Sequence, residues 1–241
     1  MHIHDPGLTL AARKDAALLH SDFHAPFDRS KINYILSSPM KRCLETAVIG
    51  CKPILYHPQT NPDGIKIVSW PKLREEGYGD PFTVGSPASK HVKEFPGVLD
   101  CTLMSPDWME NSPEDDCANR VKLVRAELFE FGRQAMIISR KGRKCKLNGS
   151  HWKHIKFTSR KREAENVEIL VFSYHEFLEY LTGDGFTWAV PKTYQFAPVG
   201  KVGPSFRLVE TEEGRERSER AILTEDPDQE EKLTYASSNE N

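Results

Sequence analysis

The 241-residue chain carries 33 lysines and arginines against 35 aspartates and glutamates, a formal charge of -2, so nothing global draws it to nucleic acid or to an anionic membrane. Its five cysteines (Cys43, Cys51, Cys101, Cys117 and Cys145) are odd in number, scattered and without a C-x-x-C pair. That usage argues against a disulfide framework or a zinc ribbon and fits a reducing, cytoplasmic or nuclear setting; no apolar signal core opens the chain, and no stretch approaches the ~18 apolar residues of a membrane span.

From the N-terminus, Asp5-Pro6-Gly7 reads as a turn and "LTLAARKDAALL" as a helix, with Thr9 or Asp5 as its cap. "INYILSS" (residues 32–38) has the apolar run of a short buried strand, and "MKRCLETAVIG" (40–50) follows as a helix that Gly50 can end. "GIKIVSW" (64–70) is a second strand, and the turn-rich "PKLREEGYGDPFTVGSPASK" (71–90) is predicted to be a long loop. From Ala118 to about Gln134, Val121, Val124, Leu128 and Phe131 keep helical spacing, which predicts an amphipathic helix lying on a core. "VEILVFSY" (167–174) is the clearest strand, followed by the helical "HEFLEYLTGD" that stops at Gly183 to Gly185. Strand-like "TYQFAPV" and "SFRLVE" then complete one folded domain, expected to run to residue 209. Strands alternating with helices imply an α/β layered sheet.

Two segments depart from this pattern. Between Arg140 and Arg162, ten lysines and arginines and two histidines occur with no acidic residue, which predicts an exposed basic insertion. Such a run is either a solvated loop or a surface for an anionic partner. From Glu210 to Asn241, eleven acidic residues face four basic ones with almost no apolar periodicity, the composition of a disordered acidic tail.

The chemistry concentrates at the join "ILSSPMKRCLETA" (35–47). In an α/β protein the crevice outside the carboxyl ends of the strands, with helix N-termini pointing into it, is where anions are held. The planar fork of Arg42 suits a phosphate there. Other signals are weak: His20-x3-His24 and Cys145-x5-His151-x2-His154 resemble metal-ligand spacings without a full set of four, and read as surface residues. Neither a glycine-rich phosphate loop nor a Gly-x-Ser-x-Gly elbow occurs.

The order "D-P-x-L-T", "SSPMKRCLETA", "LREEGYG" and "VFSYHEFLEYLTGD" resembles the histidine phosphatase superfamily, and within it the phosphoglycerate mutase-like proteins of fungi, including their "EFPG" segment (Glu94 to Gly97). The resemblance covers roughly residues 3–205, interrupted by the basic insertion. It implies a three-layer α/β/α sandwich of phosphoglycerate mutase-like type and a two-step phosphoryl transfer through a phosphohistidine, with no metal or organic cofactor. In that scheme a histidine of an Arg-His-Gly motif takes the phosphoryl group, arginines and a second histidine neutralise its oxygens, and a carboxylate protonates the leaving group. Arg42 falls on the phosphate-clamp arginine and Glu75 on the proton donor, although Arg74 and Glu76 beside it equally fit a solvated charged loop. The substrate implied is a phosphorylated small molecule or a phosphoprotein.

The likeness departs at two places. The Arg-His-Gly strand should precede "DPGLT" by some tens of residues, where this sequence has only "MHIH", and His2 and His4 are not substitutes. The family's "[ST]-H-G-x-F-L" aligns with "SYHEFL", which puts Tyr174 where the second histidine belongs and His175 one residue late, on the other face unless a bulge or a shortened turn re-aims it. Re-aimed, His175 would be the second catalytic residue beside Glu75; Glu176 would add negative charge to the site. A lost central strand should leave its neighbours with unpaired backbone groups. An incomplete chain, a degenerate pseudo-phosphatase or a strand supplied by a partner would each account for the departure. The expectation is an ancestral phosphomonoesterase with little activity in this chain; the alternative is a non-catalytic module that binds a phosphate or another anion.

Overall fold

A computed structural model of the chain describes residues 4–19, 32–62, 64–75, 82–109, 116–141, 168–184, 192, 194–198, 206–212 and 215–216. The chain divides into two compact units, Met1–Gly185 and Phe186–Asn241.

The first unit is built on a four-stranded parallel sheet of β1 (Ile32–Ser37), β2 (Ile67–Ser69), β3 (Leu99–Asp100) and β4 (Glu168–Phe172), in the order β3-β2-β1-β4. Ile35 pairs with Ile67 on one side and with Leu170 on the other. Ile32, Tyr34, Ile35 and Leu36 of β1 are all buried, the burial expected of a parallel strand covered on both faces. Among the described residues, the ladder runs unbroken through β1, while the outer edge of β4 has no strand paired to it and all five of its residues are only partly buried. β1 is bonded on both flanks, and β4 is one border of the sheet.

Helix α1 (Leu10–Leu18) is capped by Thr9, whose hydroxyl accepts from the Ala12 N–H at 3.2 Å. Asp5, the other candidate cap, serves a different helix. Helix α2 (Lys41–Gly50) lays Leu44 and Ala47 on the core formed by Ile35, Ile67, Ile54, Leu55 and Ile65. Full burial of each large aliphatic side chain contributes about 1.5–3 kcal/mol. Gly50 is the last residue of α2, but a left-handed turn is not its role. A Cβ there would stand 3.0 Å from Leu19 Cδ1, so the glycine admits the end of α1. Gly183 does act as a left-handed cap, with φ +84° after α5 (His175–Thr182).

The stretch predicted as a loop from Pro71 holds a 3-10 turn (Pro71–Leu73) and ends in helix α3 (Ala88–Glu94). With only Val92 as a large aliphatic residue, and that one half-exposed, α3 has no apolar stripe to announce it. Helix α4 (Cys117–Lys141) extends the amphipathic segment toward its C-terminus, and Val121, Val124, Leu128 and Phe131 are buried as their spacing implies. Phe131 meets Tyr34 edge to face, with centroids 4.7 Å apart.

In the second unit, β5 (Tyr194–Pro198) and β6 (Phe206–Glu210) form an antiparallel pair with Tyr194 opposite Glu210. Residues 142–162 of the basic run, the chain beyond residue 216, and His2, His20, His24, Cys145, His151 and His154 lie outside the described residues. Among the described residues, no helix is long and apolar enough to cross a membrane.

Candidate anion-binding site

Parallel pairing brings the carboxyl ends of β1, β2 and β4 side by side, and the chain leaves β1 through Ser38 and Pro39 into α2. The two serines of that join are structural. Both are fully buried: Ser37 Oγ donates to the Ser38 carbonyl at 2.9 Å, and Ser38 N–H donates to the Phe172 carbonyl of β4 at 2.9 Å. Ser38 Oγ also accepts a long 3.4 Å bond from the Met40 N–H.

The start of α2 is likewise filled from within the chain. Asp5, 2% exposed and held at φ +46°, accepts the Lys41 N–H on Oδ1 at 2.9 Å. A carboxylate at a helix N-terminus satisfies an orphan donor and complements the helix dipole. This N–H is therefore not open to an external anion; of the two positive side chains at the join, Lys41 pairs with Glu94 of α3 and Arg42 with Glu75.

Arg42 makes three contacts from the first turn of α2. Its Nη2 lies 2.5 Å from Glu75 Oε2, its Nη1 donates to the Phe82 carbonyl at 2.9 Å, and its Cζ stands 4.5 Å from the centroid of the Tyr174 ring. The ion pair is charge-assisted and the ring contact is a cation–π stack. Arg42 and Glu75 side chains remain 22% and 26% exposed, so the pair borders solvent instead of lying sealed in the core. Burial raises the Glu75 carboxyl above its ordinary range; Arg42 opposes this and nearby Glu176 adds to it.

The neighbours of the pair are chemically quiet. The Cys43 thiol is fully enclosed and pushed up to about 12 by burial, which leaves it no thiolate character. Burial also raises the Tyr174 hydroxyl far above its usual range, and it lies beside Cys43 without a hydrogen-bond partner of good geometry. Tyr174 therefore offers an aromatic face and a neutral hydroxyl.

The backbone that presents Glu75 is fixed from several elements. Ser173 Oγ donates to the Leu73 carbonyl at 2.7 Å, and Arg120 Nη2 of α4 donates to the Arg74 carbonyl at 3.0 Å. Arg74 Nη1 donates to the Trp108 carbonyl at 2.9 Å. A freely solvated charged loop does not describe this segment.

His175 opens α5, and its Nε2 lies 3.3 Å from Glu179 Oε1, one turn further along, with both side chains more than 40% exposed. The β1–β4 pairing is regular from Tyr34–Ile169 to Ser37–Phe172, so no bulge near the end of β4 re-aims it. The structure brings Arg42, Glu75 and Tyr174 together, while His175 turns to Glu179. Sequence reasoning missed Asp5 and Phe82 as parts of this neighbourhood, since both act across long separations in the chain. Among the described residues, no group of three His, Cys, Asp or Glu side chains is arranged to hold a metal ion.

No protein-family model matches the chain, and no curated protein does.

Proposed function

We propose that this chain is a histidine phosphatase-like domain of phosphoglycerate mutase-like type, whose crevice binds a phosphate ester or a related anion with little turnover. The observation that carries the reading is the meeting of Arg42 and Glu75, 33 residues apart in sequence, at the carboxyl edge of a parallel sheet. An arginine so placed can offer its fork to phosphate oxygens, and a carboxyl beside it can protonate a leaving oxygen. The motif order described above supports the family, and the four-stranded parallel sheet flanked by helices is compatible with it. Low turnover follows from the side chain that faces the arginine: Tyr174 stacks on Arg42 where the motif would have a histidine, and His175 pairs with Glu179.

The test is binding and turnover of a phosphomonoester by the purified chain, with and without Arg42→Ala. Wild-type protein is expected to bind phosphate with hydrolysis near background. Arg42→Ala should weaken binding by about tenfold to a hundredfold, the loss of a charge-assisted contact worth ~1.5–3 kcal/mol. Metal-independent phosphatase activity that Arg42→Ala leaves intact would overturn both the site and the reading.

A further inference from the structure

Arg42 is already engaged. One side of its fork holds Glu75 and the other the Phe82 carbonyl, while Tyr174 covers a face of the guanidinium. The described groups that influence Glu75 electrostatically are Arg42 and Glu176, and Glu75 in turn bears on Cys43 and Tyr174. Of these only Arg42 is positive, Cys43 and Tyr174 stay neutral, and Glu176 is a second carboxylate. A doubly charged anion entering on Arg42 would meet the Glu75 carboxylate at contact distance, and like charges so close in a partly desolvated crevice repel strongly.

Resting on the anion-binding reading above, we propose that Glu75 is a built-in competitor of the anion: a dianion on Arg42 displaces the Glu75 carboxylate, which takes up one proton from solvent as it lets go. The crevice then fills on acidification and empties as pH rises. The protonated carboxyl gains a donor that it can turn to an anion oxygen, while the anion takes over the Nη2 contact. Burial supports this direction, because it disfavours the charged form of Glu75, and Arg42 is the described group that opposes it. A dianion that draws off the charge of Arg42 removes that opposition.

The experiment is calorimetric titration of the full chain with sodium sulfate, a dianion that does not itself titrate between about pH 5.5 and about pH 7.5, in buffers of different ionisation heat. Wild-type affinity is expected to fall about tenfold per pH unit over that window, with about one proton taken up per sulfate bound. Glu75→Gln, which keeps the shape but carries no charge, should bind more tightly than wild type at the upper end and lose the pH dependence. Proton counting on the wild type needs no variant, so the test survives if Glu75→Gln folds poorly.

Sulfate binding that requires Arg42 but takes up no proton would overturn the competitor role and leave the anion site standing. The same holds if the pH dependence persists in Glu75→Gln, since the proton would then belong to another group. Binding unaffected by Arg42→Ala, or absent from both wild type and Glu75→Gln across the window, would overturn the anion-binding reading itself.

Discussion

Replacing Asp5 tests the most specific long-range feature of the fold, the capping of α2 by a residue 36 positions earlier in the chain. Asp5 does two things at once: Oδ1 accepts the Lys41 N–H at 2.9 Å, and its backbone occupies the left-handed region at φ +46°. Asp5→Asn keeps an acceptor oxygen and a residue that tolerates that region, whereas Asp5→Ala keeps neither. Loss of the cap costs about 1 kcal/mol and the left-handed conformation about another 1 kcal/mol for alanine, so the two variants should differ by about 2 kcal/mol. Comparing the variants cancels much of the effect of removing the buried charge, which both share. For a unit of this size the difference corresponds to a Tm gap of about 4–8 °C, readable by thermal melts and checked by urea unfolding at constant m-value. Because α2 carries Arg42, anion binding should weaken in Asp5→Ala more than in Asp5→Asn. Variants equal within about 0.5 kcal/mol, the scatter of ordinary surface substitutions, would refute the capping argument.

Three further outcomes follow from the same structure. Phe131→Ala, which empties a fully buried site against Tyr34, should cost about 3–5 kcal/mol in urea unfolding; a loss under about 1 kcal/mol would mean that α4 does not pack there. Gly85→Ala would place a Cβ 2.0 Å from Trp108 Cη2, so the buried indole must shift. We expect a loss of at least about 1–3 kcal/mol together with an altered near-ultraviolet circular dichroism spectrum, and an unchanged spectrum would contradict the contact. His91 is fully buried, with neither ring nitrogen in a hydrogen bond of good geometry, and burial holds it below the ordinary histidine range while Asp5 and Glu94 oppose the shift. The unfolded chain takes up that proton near pH ~6.5 while the folded one resists it, so this stability is complete above about pH 6.5 and declines as pH falls toward the folded value. His91→Phe should flatten the decline; urea midpoints that run parallel for variant and wild type across that window would reject the role.

Local pattern was enough for the elements whose apolar residues repeat. The run Ile32 to Leu36 and the helical spacing of Val121, Val124, Leu128 and Phe131 each announced a buried surface with its own period, because burial dictates periodicity, whereas the strand-like "EILVF" forms β4 with every residue only partly buried. Gly183 likewise declared a helix end, since only the left-handed region was needed there. Elements held by little local apolar surface stayed hidden. Helix α3 and the two-residue β3 are fixed by contacts with distant segments, such as the Lys41–Glu94 ion pair and the pairing of Ile67 with Leu99. Gly50 does end α2 as expected, but the close approach of Leu19 that favours a glycine there carries no local signal.

For the candidate site, the sequence by itself determined that an arginine stands where a strand gives way to a helix, that a carboxylate follows a second strand, and that tyrosine precedes histidine after the last strand of the sheet. Only the tertiary structure decided that Arg42 and Glu75 are partners at 2.5 Å, that Asp5 fills the helix start, and that Tyr174 faces the arginine while His175 turns to Glu179. The physical reason is that residue type and period set which surfaces are buried and which groups are charged. Which charges meet depends on the order in which the strands pair, and that order is chosen by the whole sheet.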